Sequence, residues 1–156
     1  MSILYKKIEQ HKKESFSGLR PHYQTLKSSQ SPHTLLVTCA DSRLCPQEFT
    51  QTQAGELFII RNAGNLIPPY DPNSVSNEGL TIEYGIEALD IPEIVVCGHA
   101  SCGAMAGLMD PGKLTSLPLV QKALTGYKDA HKESLEGKDN LEQLIEWNVT
   151  NQLPSL

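Results

Sequence analysis

Short apolar blocks separated by polar stretches rich in glycine and proline set the rhythm of this chain. Thr34-Leu35-Leu36-Val37-Thr38 is apolar and β-branched without alternation, the pattern of a strand buried on both faces. Leu57-Phe58-Ile59-Ile60-Arg61 repeats it, introduced by Ala54-Gly55 and closed by Asn62-Ala63-Gly64-Asn65, residues that tolerate unusual backbone angles. Ile94-Val95-Val96-Cys97-Gly98 is the third such run. Between the second and third, Pro68-Pro69-Tyr70-Asp71-Pro72-Asn73 reads as loop. From Ser76 to Leu89, the residues Ile82, Ile86 and Leu89 fall at intervals that share one helical face, and Pro92 stops the helix. Small apolar residues over 102–109 predict a short packed helix closed by Pro111-Gly112. Residues 118–130 predict another, and Leu141, Leu144, Ile145, Val149 and Gln152 place a last one over 140–152. At the other end, Ile3 to Glu14 predicts a polar helix whose Ile3, Leu4 and Ile8 could dock on a partner surface.

Alternating strands and helices argue for an α/β fold with a mostly parallel central sheet flanked by helices. We read residues 1–156 as one domain, the first 30 or so forming an N-terminal helical arm. Sheets of this kind place their binding sites beyond the carboxyl ends of the strands. Cys39 follows the first strand and His99 follows the third.

Bulk properties narrow the function. A chain of 156 residues, 39% hydrophobic, can build one core and is short for two. Its 13 Lys and Arg against 18 Asp and Glu give a net charge of −5, with the basic residues scattered, which argues against a nucleic-acid partner. The opening residues hold no apolar core of a signal peptide, and no run of about 18 apolar residues could cross a bilayer. The expectation is a soluble, cytoplasmic protein with no membrane partner. Its four cysteines then suggest metal binding or thiol chemistry rather than a secreted disulfide framework.

Two clusters carry that chemistry: Cys39-Ala40-Asp41-Ser42-Arg43 and His99-Ala100-Ser101-Cys102. Cys39, His99 and Cys102 form a good zinc set, and three protein ligands leave a fourth position for water, as catalytic sites do. Zinc with two thiolates is formally neutral and acidifies its water less than zinc with three histidines. Asp41 could compensate by accepting a hydrogen bond from the nucleophile and orienting it, with Arg43 holding Asp41 ionised through a bidentate contact. Cys102 is expected to open a helix whose positive end favours its thiolate, and Gly103 leaves its backbone N–H accessible beside the metal. Taken singly, each feature has a plainer reading as a buried hydrophobe, a surface ion pair or a chance pattern. Both clusters following buried strands is what favours a metal site. Cys45 and Cys97 keep the plainer reading of small buried hydrophobes.

The pair Cys39-Ala-Asp41-Ser-Arg43 and His99-Ala-Ser-Cys102-Gly103 resembles the paired motif of the beta-carbonic anhydrases. Gly55-Glu-Leu-Phe-Ile-Ile-Arg61-Asn62-Ala-Gly-Asn65 and Ile82-Glu83-Tyr84-Gly85 are similar to further motifs of that family, in the right order. The resemblance implies reversible hydration of carbon dioxide to bicarbonate by zinc-bound hydroxide, with one zinc per subunit on Cys39, His99 and Cys102. Asp41 and Arg43 match the catalytic pair, and Asp41 also matches a residue that acts as a fourth metal ligand in an inactive state. The wording is closest to the plant-like branch, where Gln53, Tyr70 and Tyr84 would line the substrate pocket. A homodimer or higher homo-oligomer, with N-terminal helices embracing the neighbour, follows from the same resemblance. So does a departure: family members usually continue with a final edge strand, which is expected to be missing here. The competing readings are a carbon disulfide or carbonyl sulfide hydrolase on the same scaffold and a truncated, noncatalytic zinc-binding relative. A thiol redox protein is disfavoured, since no Cys-x-x-Cys occurs.

Overall fold

In the computed structural model, which describes residues 2–156, the central element is β1 (Thr34–Cys39), buried along its whole length. It pairs in parallel with β2 (Leu57–Asn62) on one side and β3 (Glu93–Cys97) on the other, giving the order β2-β1-β3. The register sets Cys39 opposite Asn62 and Thr38 opposite Cys97, so the carboxyl ends of all three strands finish close to one level. Leu35 and Val37 join Ile60, Ile67, Ile82 and Ile91 in one core cluster. Burying a side chain of this size contributes about 1.5–3 kcal/mol, which fixes the strand from which Cys39 projects.

The helix expected over 76–89 is present but changes pitch. Ser76 caps α4 (Asn77–Glu83) by accepting a 2.9 Å hydrogen bond from the Gly79 N–H. A π-helical turn, Tyr84–Ala88, then widens the spiral, with the Leu89 N–H reaching back to Tyr84 O. Ile82, Ile86 and Leu89 still meet the same cluster, as their spacing predicts. Elsewhere, α5 (Gly103–Met109), α6 (Pro118–Ala130) and α7 (Leu141–Gln152) build a second cluster in which Met105, Leu108, Leu124, Leu144 and Trp147 surround Cys39 and Cys102. β3 begins and ends one residue earlier than its apolar run suggests, leaving Gly98 beyond the sheet. A Cβ at Gly98 would lie 2.7 Å from Val149 Cγ2, so only a residue without a side chain lets α7 lie against the end of β3.

The N-terminal helix α1 (Ile3–Glu14) forms as expected, with Ser2 as its cap. Its partner α2 (Phe16–Thr25) falls within the expected helical arm, although Gly18 and Pro21 mask its local helical signal. Neither helix buries a residue, and Ile3, Leu4 and Ile8 are exposed. The arm is tied down near its end by a 2.8 Å hydrogen bond between His22 Nε2 and Ala54 O and by Leu26 lying over Gly55. An unexpected turn, α3 (Pro46–Thr50), starts on a proline at its first position. It leaves Cys45 exposed, which corrects the reading of that residue as a buried hydrophobe, whereas Cys97 is half-buried. Among the described residues, no helix is long and apolar enough to cross a membrane.

Candidate metal centre

Cys39 is the last residue of β1, and His99 follows β3 by way of Gly98. The chain then turns at Ser101, a non-glycine residue at φ 55°, a conformation that costs on the order of 1 kcal/mol. That turn returns the chain toward β1, so that Cys102 caps α5 instead of being its first residue. The sulfurs of Cys39 and Cys102 and a ring nitrogen of His99 lie within 4.8 Å of one another, close enough for one ion to touch all three. Cys39 and Cys102 are buried, and all four cysteines are free thiols.

The imidazole is already oriented. His99 Nδ1 sits 2.9 Å from Ala100 O and donates to it, which leaves Nε2 as the nitrogen with a lone pair. Nε2 is buried and has no hydrogen-bond partner, an arrangement that costs free energy unless something electrophilic meets it. Two thiols and one bare imidazole nitrogen suit zinc. Burial pushes the Cys102 thiol above its ordinary value, and the nearby Cys39 adds to this, while the N–H groups of Met105 and Ala104 pull it down. The start of α5 thus favours the thiolate, as its position predicts, but burial outweighs it, and a cation beside the sulfur would be needed to tip the balance.

Asp41 and Arg43 meet as their spacing predicts. Arg43 Nε donates to Asp41 Oδ1 at 2.9 Å and Nη2 to Oδ2 at 2.8 Å, and the Arg43 backbone N–H adds a third bond to Oδ1 at 3.0 Å. These bonds hold the Asp41 carboxyl well below the usual carboxylate range. Arg43 Nη2 also donates to Ser101 O at 3.1 Å, linking the two motif loops. Asp41 Oδ2 stands 4.0 Å from His99 Nε2, beside the three metal-type donors but outside their group.

Three residues carried on resemblance lie elsewhere on this chain. Gln53 and Tyr70 are exposed, and Tyr84 is half exposed with its ring 6.2 Å from that of Phe58. Tyr70 borders a separate cleft of about 430 Å³ with Pro68, Ile82 and Leu156. Gly103 is exposed, and a side chain there would meet nothing within 4 Å. A groove of about 740 Å³ runs from His99 and Ser101 along α7, touching neither Asp41 nor Cys39, so it flanks the site from the β3 side.

Sequence reasoning missed the clamps behind these residues. Arg61 donates through Nε to Cys39 O at 3.1 Å and through Nη2 to Asp41 O at 2.8 Å, fixing the backbone of the first cluster. The Gly64 N–H lies 3.4 Å from Cys39 Sγ. The available signal was the cluster Asn62-Ala63-Gly64-Asn65 at the end of a strand, which marks backbone set for a purpose beyond turning.

Comparison with known proteins agrees with this geometry. A family model described as Carbonic anhydrase matches residues 34–156. A carbonic anhydrase of Synechocystis sp. is 38% identical over 163 aligned residues, covering 100% of this chain and 59% of its own length. The chain thus spans little more than half of that curated relative. Among solved structures, the beta-carbonic anhydrase CcaA superposes with a TM-score of 0.85 at 38% identity, covering 97% of this chain and 71% of the other. Tetrameric beta-carbonic anhydrases of Sordaria macrospora include one with a TM-score of 0.69 at 27% identity, covering 94% of this chain and 76% of the other.

Proposed function

This chain belongs to the beta-carbonic anhydrase family, and we propose that it catalyses the reversible hydration of carbon dioxide to bicarbonate and a proton. In this reading Cys39, His99 and Cys102 hold one zinc ion per subunit. The observation that carries it is the convergence of two buried thiols on a buried imidazole nitrogen with no partner, next to a carboxylate braced by arginine. When bound, zinc supplies a Lewis acid that lowers the pKa of water and so makes a nucleophile available near neutral pH.

The chain's own residues do the rest. Asp41 accepts a hydrogen bond from the attacking oxygen and turns its lone pair toward the carbon of carbon dioxide. Because Arg43 keeps Asp41 ionised, the carboxylate orients but does not retain a proton at neutral pH, and the released proton passes to buffer. Serving as a fourth metal ligand would require Asp41 to release its bonds from Arg43, which makes that role a distinct, inactive arrangement. The Gly103 N–H donates a hydrogen bond to a substrate oxygen in this reading, which the exposure of Gly103 supports.

Gln53, Tyr70 and Tyr84 complete the substrate pocket in an assembly, where their exposed side chains are supplied across a subunit contact. The outward-facing Ile3, Leu4, Ile8, Phe16 and Leu19 support a homodimer or higher homo-oligomer held by the arm. We take residues 1–156 as one domain with residues 1–30 as that arm. Four free cysteines suit the reducing cytoplasm.

The test is zinc analysis of the purified chain together with stopped-flow carbon dioxide hydration at mildly alkaline pH. About one zinc per chain with turnover is the expected result. Zinc without turnover would favour a noncatalytic relative, turnover of carbon disulfide or carbonyl sulfide alone would favour the hydrolase, and no zinc would sink the reading.

A further inference from the structure

A buried polar network on α6 and α7 does nothing in the mechanism above, yet it ends at a metal-type sulfur. Asn148 and Gln152, each about 1% exposed, lie one turn apart on α7. Asn148 Oδ1 accepts from Gln152 Nε2 at 2.9 Å and from Tyr127 OH at 3.1 Å. Gln152 Nε2 also donates to Tyr127 OH at 2.6 Å, and Asn151 Nδ2 donates to the same hydroxyl at 3.0 Å. Each amide has one polar atom left, and both of these atoms reach the loop after β2. Asn148 Nδ2 donates to Gly64 O at 2.9 Å, and Gln152 Oε1 accepts from the Ile67 N–H at 2.7 Å.

That loop is held at several of its polar groups, although Asn65 Nδ2 is buried with no partner among the described residues. Asn62 binds both the Leu66 N–H and Leu66 O through its side chain, while Asn148 and Gln152 hold Gly64 and Ile67. Between these anchors the Gly64 N–H points at Cys39 Sγ from 3.4 Å. An N–H donated to a sulfur stabilises the thiolate form that binds metal and lowers the energy of its lone pairs, and partners behind metal ligands commonly tune affinity by about 10–100-fold. Two further side-chain hydrogen bonds from a buried network, at Gly64 and Ile67, would be an extravagant way merely to close a loop that is already pinned by Asn62.

We propose that Asn148, oriented by Gln152 and Tyr127, is a positioning residue for the metal centre: it fixes the Gly64 carbonyl so that the N–H of the same residue meets Cys39 Sγ. The inference rests on Cys39 being a zinc ligand, as argued above.

The test uses the full chain loaded with cobalt(II) or cadmium-113 in place of zinc. In the unmutated cadmium protein, the Gly64 amide proton should show scalar coupling to the metal across the hydrogen bond to Cys39 Sγ. In a folded Asn148→Ala variant that coupling should vanish, the thiolate-to-cobalt charge-transfer band should move to lower energy, and zinc affinity by chelator competition should weaken about tenfold or more. Tyr127→Phe, which keeps the ring against Trp147 but releases the amide of Asn148, should move the band the same way by less. A folded Asn148→Ala protein with the parent's band and affinity overturns the proposal, because a purely structural role would lower melting temperature and leave the sulfur unaltered. If Asn148→Ala does not fold, Tyr127→Phe and the coupling in the unmutated protein decide alone. Cadmium bound without coupling to Gly64 overturns this inference only, whereas an unmutated chain that takes up neither metal overturns the zinc reading and this one with it.

Discussion

Gly64 joins two demands in one residue, and replacing it by alanine tests the way the fold supports the site. Its φ of 86° lies where a Cβ is unfavourable, and a Cβ there would stand 2.9 Å from Ala104 Cβ and 3.2 Å from Met105 Cε. The backbone penalty for an L-residue in that region is about 1–2 kcal/mol. Forcing a methyl into the packed start of α5 adds about 1–3 kcal/mol, since Ala104 is a short side chain that cannot swing away. The two together come to about 2–5 kcal/mol, or a fall in melting temperature of about 4–20 °C for a chain of this size. The strain acts where Gly64 meets Cys39 and where Asn148 holds Gly64, so zinc retention against a chelator should weaken as well. Differential scanning calorimetry with and without chelator measures both effects. Gly103→Ala is the matched control, because its Cβ meets nothing within 4 Å, and its stability should stay within about 0.5 kcal/mol of the parent. A Gly64→Ala protein that melts with the parent and keeps its zinc would refute the reasoning.

Cys39→Ala should lose metal and turnover together, while Asp41→Asn should keep zinc, measured by metal analysis, and lose most turnover in stopped-flow assays. Arg43→Ala should let the Asp41 carboxyl return toward its ordinary 3.8, followed by carbon-13 NMR titration; an unmoved Asp41 would contradict the bidentate contact as the cause of its depression. In the parent, that depressed value means the pair's contribution to stability is present above the ordinary value and lost only as pH falls through the lower folded one. Tyr127 shows the opposite case: burial raises its hydroxyl above the ordinary 10.0, so the contribution it makes as a neutral donor is complete below that pH and declines as pH rises through the folded value. Denaturation at graded alkaline pH should show this decline in the parent and a weaker one in Tyr127→Phe.

What was legible in the sequence was whatever depends on local pattern. The three apolar runs around Leu36, Ile59 and Val95 became parallel strands, although only β1 is covered on both faces as its pattern predicts, while β2 is mostly half-buried and Val95 on β3 is exposed. Cys39, Asp41, Arg43, His99 and Cys102 could be grouped because the ends of parallel strands converge. Local pattern failed where a residue's neighbours are distant in the chain. Gly18 and Pro21 speak against a helix, yet α2 forms and is held at His22 and Leu26 by the segment around Ala54 and Gly55. The π-helical turn at Tyr84 is likewise invisible to a period of 3.6, since Ile82, Ile86 and Leu89 reach the same core in either pitch. The clamp from Asn148 to Gly64 spans 84 residues and leaves no trace in spacing.

The electrostatics of the site lead to a further consequence for its pH dependence. With a zinc ion held as proposed, two thiolates would formally cancel its charge, and Asp41 with Arg43 forms a second neutral pair, so no nearby net charge would drive water ionisation strongly. Asp41 cannot be the group whose deprotonation limits the rate near neutral pH, because its hydrogen bonds from Arg43 keep it ionised far below that range. Arg43 cannot either, since Asp41 raises an already high value further. In the proposed zinc-loaded chain, a rise in hydration rate from mildly acidic to alkaline pH is then expected to report ionisation of the nucleophile itself, and it should persist with its midpoint little changed in Asp41→Asn although the rate falls. A flat profile in the parent, or a midpoint that disappears with Asp41, would assign the titration to the carboxylate and overturn this division of roles between the metal ligands and the Asp41–Arg43 pair.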